Sequence, residues 1–321
     1  MTTLTSKRKI WYLLSAILII PGLISLIFTG LRLGIDFTGG TQIQLQFQQE
    51  VSSVDLQAAV AEAGYDGAIV QSVDVEGGNA WQIKTQEIGE GTDAKNQLYA
   101  ALESEFGPFT ELSIATIGGS VSDQLSRNAI LAILVASLFI LLYIAIAFRN
   151  TRSPFVYGTC AIAAMACDVL FVIGLFSIFG WAFGIEVDTL FVTALLTVIG
   201  FSVHDKIVVF DRIRENMARR VGSSFEDTVN YSIAQTLVRS VNTSVTVVFT
   251  LLALFLLGGG STRNFVLALL IGIVSGTYSS IFTAAQFLVS WENGDIQRLF
   301  GRSGPKRDTQ VEAEARLAPS R

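Results

Sequence analysis

Hydrophobic positions along this chain follow two different periods. Apolar runs occur near residues 10–31, 127–148, 156–180, 187–209, 240–258 and 263–290. Each has roughly the 18 to 25 residues needed to cross a bilayer core of about 30 Å, which predicts six spans. Between the first two runs the pattern shortens. QIQLQFQ (42–48) alternates with period two, VDLQAAVAEAG (54–64) has helical spacing, and AIVQSVDV and AWQIKTQ read as strands on either side of Glu76-Gly77-Gly78-Asn79. TDAKNQLYAALESEF is again helical and FTELSIATI is a last strand. The predicted order βαββαβ is the ferredoxin-like split motif, which by itself implies no chemistry. The fold class expected is therefore a polytopic α-helical membrane protein with a ferredoxin-like extracytoplasmic domain between its first and second transmembrane helices.

This patterning divides the chain into an N-terminus with the first span (1–31), the βαββαβ domain (32–126), spans two to six (127–290) and a polar tail (291–321) expected to be disordered at its end. A loop is expected at about 211–238, carrying an amphipathic helix from Ser224 to Val238. Lys7, Arg8 and Lys9 precede the first run as they would in a signal peptide. The run is about 20 residues long and no A-x-A-like site closes it, so an uncleaved span is expected.

Composition agrees with this division: of 321 residues 51% are hydrophobic and 15% charged, and the mean hydropathy of +0.53 excludes a water-soluble domain of this length. Residues 33–126 contain fourteen acids against Lys84 and Lys95 alone. Arg149, Arg152, the segment 211–239 and the tail are rich in arginine, which predicts a cytoplasmic location for them and an external one for the acidic domain. An even number of spans then puts both termini in the cytoplasm. Cys160 and Cys167 lie seven residues apart on one predicted helix face and read as small packing residues.

No nucleotide-binding loop and no H-E-x-x-H occurs, and His204 is the single histidine. The reading includes no enzymatic activity, no cofactor and no metal site. Chemistry is sought instead in charges within the apolar runs, each of which costs about 2.5 to 3.5 kcal/mol on insertion scales. Asp168 sits near the middle of the third span and Asp205 in the cytoplasm-proximal half of the fourth. Arg239, Asn242, Thr243, Thr246 and Thr250 recur at spacings of three and four, forming one polar stripe on the fifth. Arg239 is the expected partner of Asp205, because paired the carboxylate is ionised and unpaired it takes up a proton. An inert salt bridge, or Arg239 reaching to lipid phosphate, remains the alternative. His204 is open between proton relay and packing, Lys206 is expected to extend to the interface, and Asp168 is either a second proton stop or a neutral hydrogen-bonded acid. Asn242, Thr243 and Thr246 could hold water beside the carboxylate. Gly272 and Gly276, extended by Ser275, Ser279, Ser280 and Thr283, form a small-residue face for close helix packing. Asp36, expected directly after the first span, with Gly39 and Gly40 free to take positive φ, predicts a short joint at the start of the βαββαβ domain.

GIDFTGGT (34–41), VVFDRIREN (208–216), RSVNTSVTV (239–247) and SGTYSSIF (275–282) resemble, in order and spacing, the SecF branch of the SecD/SecF family of bacterial protein export. The resemblance implies a six-span half of a pseudo-symmetric unit completed by SecD, related to proton-driven efflux pumps, with the proton carried at positions matching Asp205 and Arg239. It implies an accessory role, driven by the proton-motive force, in late steps of polypeptide export. The implied partners are SecD, the Sec channel, the translocating unfolded polypeptide and membrane lipid, with no nucleic acid, in a bacterial plasma membrane or a thylakoid. This chain has His204-Asp205-Lys206 where the family commonly shows Asn-Asp-Thr, and Cys167 where a histidine commonly precedes the acid. Those departures leave the roles of the neighbours open. Other readings are a half-transporter for a small lipid or drug, an aspartyl protease using Asp168 and Asp205 as a dyad, and a passive scaffold for SecD and the channel.

Overall fold

The computed structural model describes residues 4–75, 78–88, 93–149 and 154–295. The tail beyond 295, including the end expected to be disordered, lies outside the described residues. Six helical segments are long and apolar enough to cross a membrane: Thr5–Phe28, Gly119–Ala147, Phe155–Phe183, Thr189–Ala218, Phe225–Leu257 and Thr262–Glu292. They contain helices α1 (Arg8–Phe28), α5 (Gly119–Ala147), α6 (Pro154–Phe183), α7 (Thr189–Ala218), α8 (Phe225–Leu257) and α9 (Gly260–Ser279), the last continuing through a π-helical turn, Ser280–Ala284, into α10 (Ala285–Glu292).

Between α1 and α5 lie a one-turn helix α2 (Ile35–Thr38), β1 (Gly40–Phe47), α3 (Ser53–Glu62), β2 (Ile69–Val75), β3 (Gly78–Thr85), α4 (Asp93–Phe106) and β4 (Phe109–Ile117). The sheet order is β2-β3-β1-β4 and every pairing is antiparallel. Alternation decides its two faces. Ile43, Leu45 and Ile83 point to one side and pack with Leu56 and Val60 of α3 and Leu98 and Leu102 of α4, whereas the intervening glutamines point to the other.

Where this domain meets the helices, the joint differs from the expected turn. Asp36 does not follow the span directly, because Thr29–Gly34 intervene and Asp36 sits within α2. Gly39 (φ 71°) and Gly40 (φ 118°) do take the left-handed region, and a side chain at Gly40 would collide with the Thr85 carbonyl. The joint is fastened to the segment before α7. Leu33 and Val187 form a parallel bridge, with Gly34 N donating to Val187 O at 2.8 Å and Val187 N to Arg32 O at 2.8 Å. Lys84 of β3 pairs with Glu186, and Arg32 lies 3.8 Å from the same carboxylate. Burial, and then the Arg32 charge, pull the Lys84 ammonium down to about 8.

A second difference concerns the loop expected at 211–238. α7 runs unbroken to Ala218 and α8 begins at Phe225, so the connection is only Arg219–Ser224. Helical ion pairs explain the extension: Arg212–Glu215, Arg214–Asp211 and Arg219–Glu215 are three or four residues apart. Asn216 also fastens α7 to α8, donating to Ser232 Oγ at 2.8 Å and Gln235 Oε1 at 3.0 Å. The reversal uses positive φ at Arg220 (54°) and Gly222 (97°). Ser224 then caps α8, accepting from Asp227 N at 3.1 Å. At this same end Arg8 reaches Glu226 and Asp295, both at 2.8 Å, which gathers the N-terminal part of the chain, the start of α8 and the segment after α10.

Candidate functional site: two buried carboxylates in the helix bundle

α7 is the central helix. Its buried positions, from Phe191 through Val198, Ser202, Asp205, Lys206 and Val209 to Asn216, recur at three and four and bring it against α6, α8 and α9. Glycine sets how closely α9 approaches. A side chain at Gly272 would overlap Val198, and one at Gly276 would meet Ser202 Cβ at 3.0 Å, with Ser275 between them. α1 and α6 cross through another such contact, Gly22 against Gly174, where an added Cβ would lie 2.7 Å from the opposite Cα. At the N-terminal end of α7, Asp188 accepts from Phe191 N at 2.8 Å, and Asp36 accepts from the Thr189 N–H at 2.8 Å and its hydroxyl at 2.7 Å. Two acids thus cap the positive end of the helix dipole, and Asp36 is a clasp between α2 and α7.

Deeper in the bundle, Asp168 of α6 is 2% exposed and Lys206 of α7 is 0% exposed. Lys206 Nζ pairs with Asp168 Oδ2 at 2.7 Å. Ser202 Oγ donates to the same oxygen at 2.5 Å and Ser279 Oγ at 2.7 Å, while Ser275 Oγ lies 3.4 Å from Oδ1. Lys206 also donates to Ser202 Oγ. The ammonium therefore does not extend to an interface as its sequence position suggested. Asp168, near the middle of α6, offers it a counter-charge inside the bundle, and a buried ion pair with hydrogen-bonded oxygens satisfies both groups.

Asp205, adjacent in sequence to Lys206, turns to a different side. Its Oδ1 accepts from Ser240 Oγ of α8 at 2.5 Å, and its Oδ2 from Ser280, the first residue of the π-helical turn. No ion pair reaches it among the described residues. Ser244 and Thr277 hydrogen-bond across the same α8–α9 contact. Consecutive residues of one strand of backbone, Ser279 and Ser280, thus hold carboxylates from two different helices.

Arg239 is not paired with Asp205 in this structure. It is exposed and lines a groove with Ile207, Val208, Asp211, Glu215 and Gln235. Its neighbour Ser240 occupies the inward position, about 100° round the helix. Asn242, Thr243, Thr246 and Thr250 share the outward face, and the threonine hydroxyls donate to backbone carbonyls of their own helix, Thr243 to Arg239 O at 2.9 Å and Thr246 to Thr243 O at 2.8 Å. His204 is exposed as well, on an α7 face with Thr193, Thr197 and Gly200, so it is not a packing histidine within this chain.

Sequence reading found the two acids and took Ser275, Ser279 and Ser280 for a packing face, but missed that they donate to the carboxylates, and missed Ser202 and Ser240 altogether. α8 carries two interleaved polar stripes, Thr236-Ser240-Ser244 and Arg239-Asn242-Thr243-Thr246, offset by one residue. The charged member drew attention to the second, whereas burial selects the first. A usable signal was present in the serines at 275 and 279, one helical turn apart and suited to a buried acceptor.

The chain matches two family models: protein export membrane protein SecD/SecF, C-terminal, over residues 97–294, and the SecD/SecF GG motif over residues 24–51. It is 56% identical over 306 residues to the protein translocase subunit SecF of Thermobaculum terrenum, covering 93% of this chain and 96% of that one. It is 34% identical to the protein translocase subunit SecDF of Bacillus subtilis over 92% of this chain and 38% of the relative. The crystal structure of SecDF, a translocon-associated membrane protein from Thermus thermophilus, superimposes with a TM-score of 0.78 at 34% identity, over 90% of this chain and 38% of that chain.

Proposed function

The chain belongs to the SecD/SecF family of protein-export membrane proteins, and from that premise we propose that it is an accessory subunit of the Sec translocase. In this reading it works with SecD, uses the proton-motive force and promotes late steps of polypeptide export. The observation that carries the proposal is Asp205: a carboxyl 8% exposed inside the bundle, held by hydroxyls of two other helix segments and not by a cation. A hydroxyl can accept a hydrogen bond from a protonated carboxyl as well as donate to a carboxylate, so this acid can change protonation without breaking an ion pair.

Arg239 enters through rotation. Turning α8 by one residue, about 100°, exchanges the Ser240 hydroxyl for the Arg239 guanidinium, which favours the ionised acid. Asn242, Thr243 and Thr246 turn with it and supply polar sites for water. One charge crossing about 100 mV provides roughly 2.3 kcal/mol. Driving a two-state element from 1:99 to 99:1 takes about 5.5 kcal/mol, so more than one proton, a pH gradient or a shallower switch contributes.

SecD is the partner in this reading. The outward faces of α7 and α8 carry His204, Arg239 and Asn242 where a membrane helix would otherwise meet lipid, which favours cover by another chain's span. SecDF relatives carry the counterpart of this chain as 38% of a longer polypeptide. The acidic βαββαβ domain is external, both termini are cytoplasmic, and the clasp of Asp36 on α7 passes helix motion to the domain.

Vesicles containing the chain with its SecD, energised by an imposed proton gradient, test the assignment. Asp205→Asn is expected to keep assembly and to lower both proton flux and gradient-dependent export to background. Parental rates in that variant would leave the passive scaffold as the reading.

A further inference from the structure

The groove beside Arg239 starts close to the Asp205 site and leads away from it toward the Arg219–Ser224 connection. On α7 it takes in Asp211, Arg212 and Glu215, about two to three helical turns beyond Asp205, and on α8 it takes in Gln235, Thr236 and Arg239. Thr236 belongs to both places. It is 5% exposed, it lines the groove, and it lies one turn along the buried stripe from Ser240, whose hydroxyl donates to Asp205 Oδ1 at 2.5 Å. Side chains four residues apart on a helix stand about 5–6 Å apart at Cβ, a gap that one water spans. Thr236 Oγ1 donates to Ser232 O at 3.0 Å, and no donor reaches its own oxygen among the described residues. In the opposite direction the stripe stops at Ser244, and Leu251 beyond it packs on an apolar cluster with Val198 and Leu269. At the surface of the groove the Asp211 side chain is 54% exposed and pairs with Arg214 at 2.6 Å. Glu215 has two cations, Arg212 at 2.6 Å and Arg219 at 2.7 Å.

We propose that this groove is the cytoplasmic exit for protons leaving Asp205, with Thr236 at its inner end and Asp211 as the acceptor at its surface. The inference rests on the proton-driven reading above and deepens it by giving the path a direction. α7 and α8 meet at the end that its arginines assign to the cytoplasm, so a proton moving down the groove moves inward. The Asp205 O–H gives up its proton along Ser240, a water in the gap and Thr236. Each of these takes one proton and releases another, so the hydroxyls and the water end as they began. Asp205 is left as the carboxylate, and the proton arrives on an Asp211 oxygen and passes from there to bulk water. Arg212 and Arg239 carry no proton in this scheme, because a guanidinium does not give one up. Two arginines against two carboxylates leave the lining without net charge, so the groove neither repels the proton nor traps it.

The test uses the chain with its SecD in vesicles under an imposed proton gradient, and a pH-sensitive dye reads proton release on the cytoplasmic side. Thr236→Val keeps the shape and removes the hydroxyl, and is expected to slow release about five-fold or more, while Thr236→Ser restores it to within about two-fold of the parent. Asp211→Asn is expected to slow release about three-fold or more. Concentrated MES, a buffer that does not cross the membrane, should restore most of that loss when it is present on the cytoplasmic side. A mobile buffer can replace an exposed acceptor but not a buried hydroxyl, so the same MES should leave Thr236→Val slow. Thr236→Cys, with Cys160 and Cys167 replaced by serine, is expected to react with a small water-soluble thiol reagent added on the cytoplasmic side and not with the same reagent added outside. Parental release in Thr236→Val, no rescue of Asp211→Asn by MES, or a thiol at position 236 that neither side reaches would each overturn the exit. Parental release in Thr236→Val beside background release in Asp205→Asn would sink the exit and spare the proton reading. Parental release in both would sink the proton reading itself.

Discussion

Asp168 and Asp205 lie in the same bundle and touch the same short segment of α9 and its π-helical turn, yet the surroundings of the two acids differ in kind. Asp168 faces an ammonium and three hydroxyls, and its charge is matched inside the protein. Asp205 faces two hydroxyls. A buried ion pair resists change because separating it strands two charges in a medium of low polarity. An acid held by hydroxyls has no such lock. The contrast gives the first site a locked ion pair, and the second, in the function proposed above, is the one that would exchange protons. Because Ser279 serves one acid and Ser280 the other, a change of the π-helical turn would reach both at once.

Breaking the lock is expected to give the largest effect. Lys206→Met leaves the Asp168 carboxylate buried without its cation and should lower stability by about 3–5 kcal/mol, read by thermal unfolding in detergent. Adding Asp168→Asn removes the stranded charge and should restore at least half of that loss; no recovery would mean that the lysine matters for its volume alone. Forcing α9 away from α7 should come next. Gly272→Ala drives a methyl into Val198 and is expected to cost about 1–3 kcal/mol, with partial relief from Val198→Ala.

The serines sharpen the comparison further. Ser279→Ala removes a hydrogen bond to the carboxylate of a buried ion pair, worth about 1.5–3 kcal/mol, whereas Ser280→Ala should cost nearer 0.5–1.5 kcal/mol, because Asp205 belongs to no ion pair among the described residues. Equal losses would erase the distinction between the sites. Smallest of all in stability should be Arg239→Ala, at an exposed position, within about 0.5 kcal/mol of the parent. Its gradient-dependent export is nonetheless expected to fall, measured in the vesicle assay. A variant that exports at the parental rate would remove Arg239 from the relay.

Much of this architecture is legible in the chain itself. Six long apolar runs admit few arrangements other than spans, because the bilayer fixes their length. Period-two alternation in QIQLQFQ and FTELSIATI, set between two helical stretches, specifies a sheet with helices on one face, since a one-residue slip would expose Ile43 and Leu45. The two acids announce themselves as charges in apolar runs, and Gly272 and Gly276 announce a close helix contact. Local pattern did not fix the length of the connection after the fourth span. Salt bridges three and four residues apart kept FDRIREN helical, and Asn216 docked it on α8.

What tertiary structure alone decided is which group faces which. Lys206 and Asp205 are neighbours in sequence but about 100° apart around α7, so one meets α6 and the other α8. Arg239 and Ser240 are likewise adjacent, and the packing of α8 brought the hydroxyl inward and left the guanidinium outside. The sequence determined that these charges sit at membrane depth, because hydropathy sums over a whole run. Pairing depends on the rotation of each helix about its axis, and that angle is set by the shape of the neighbouring helices.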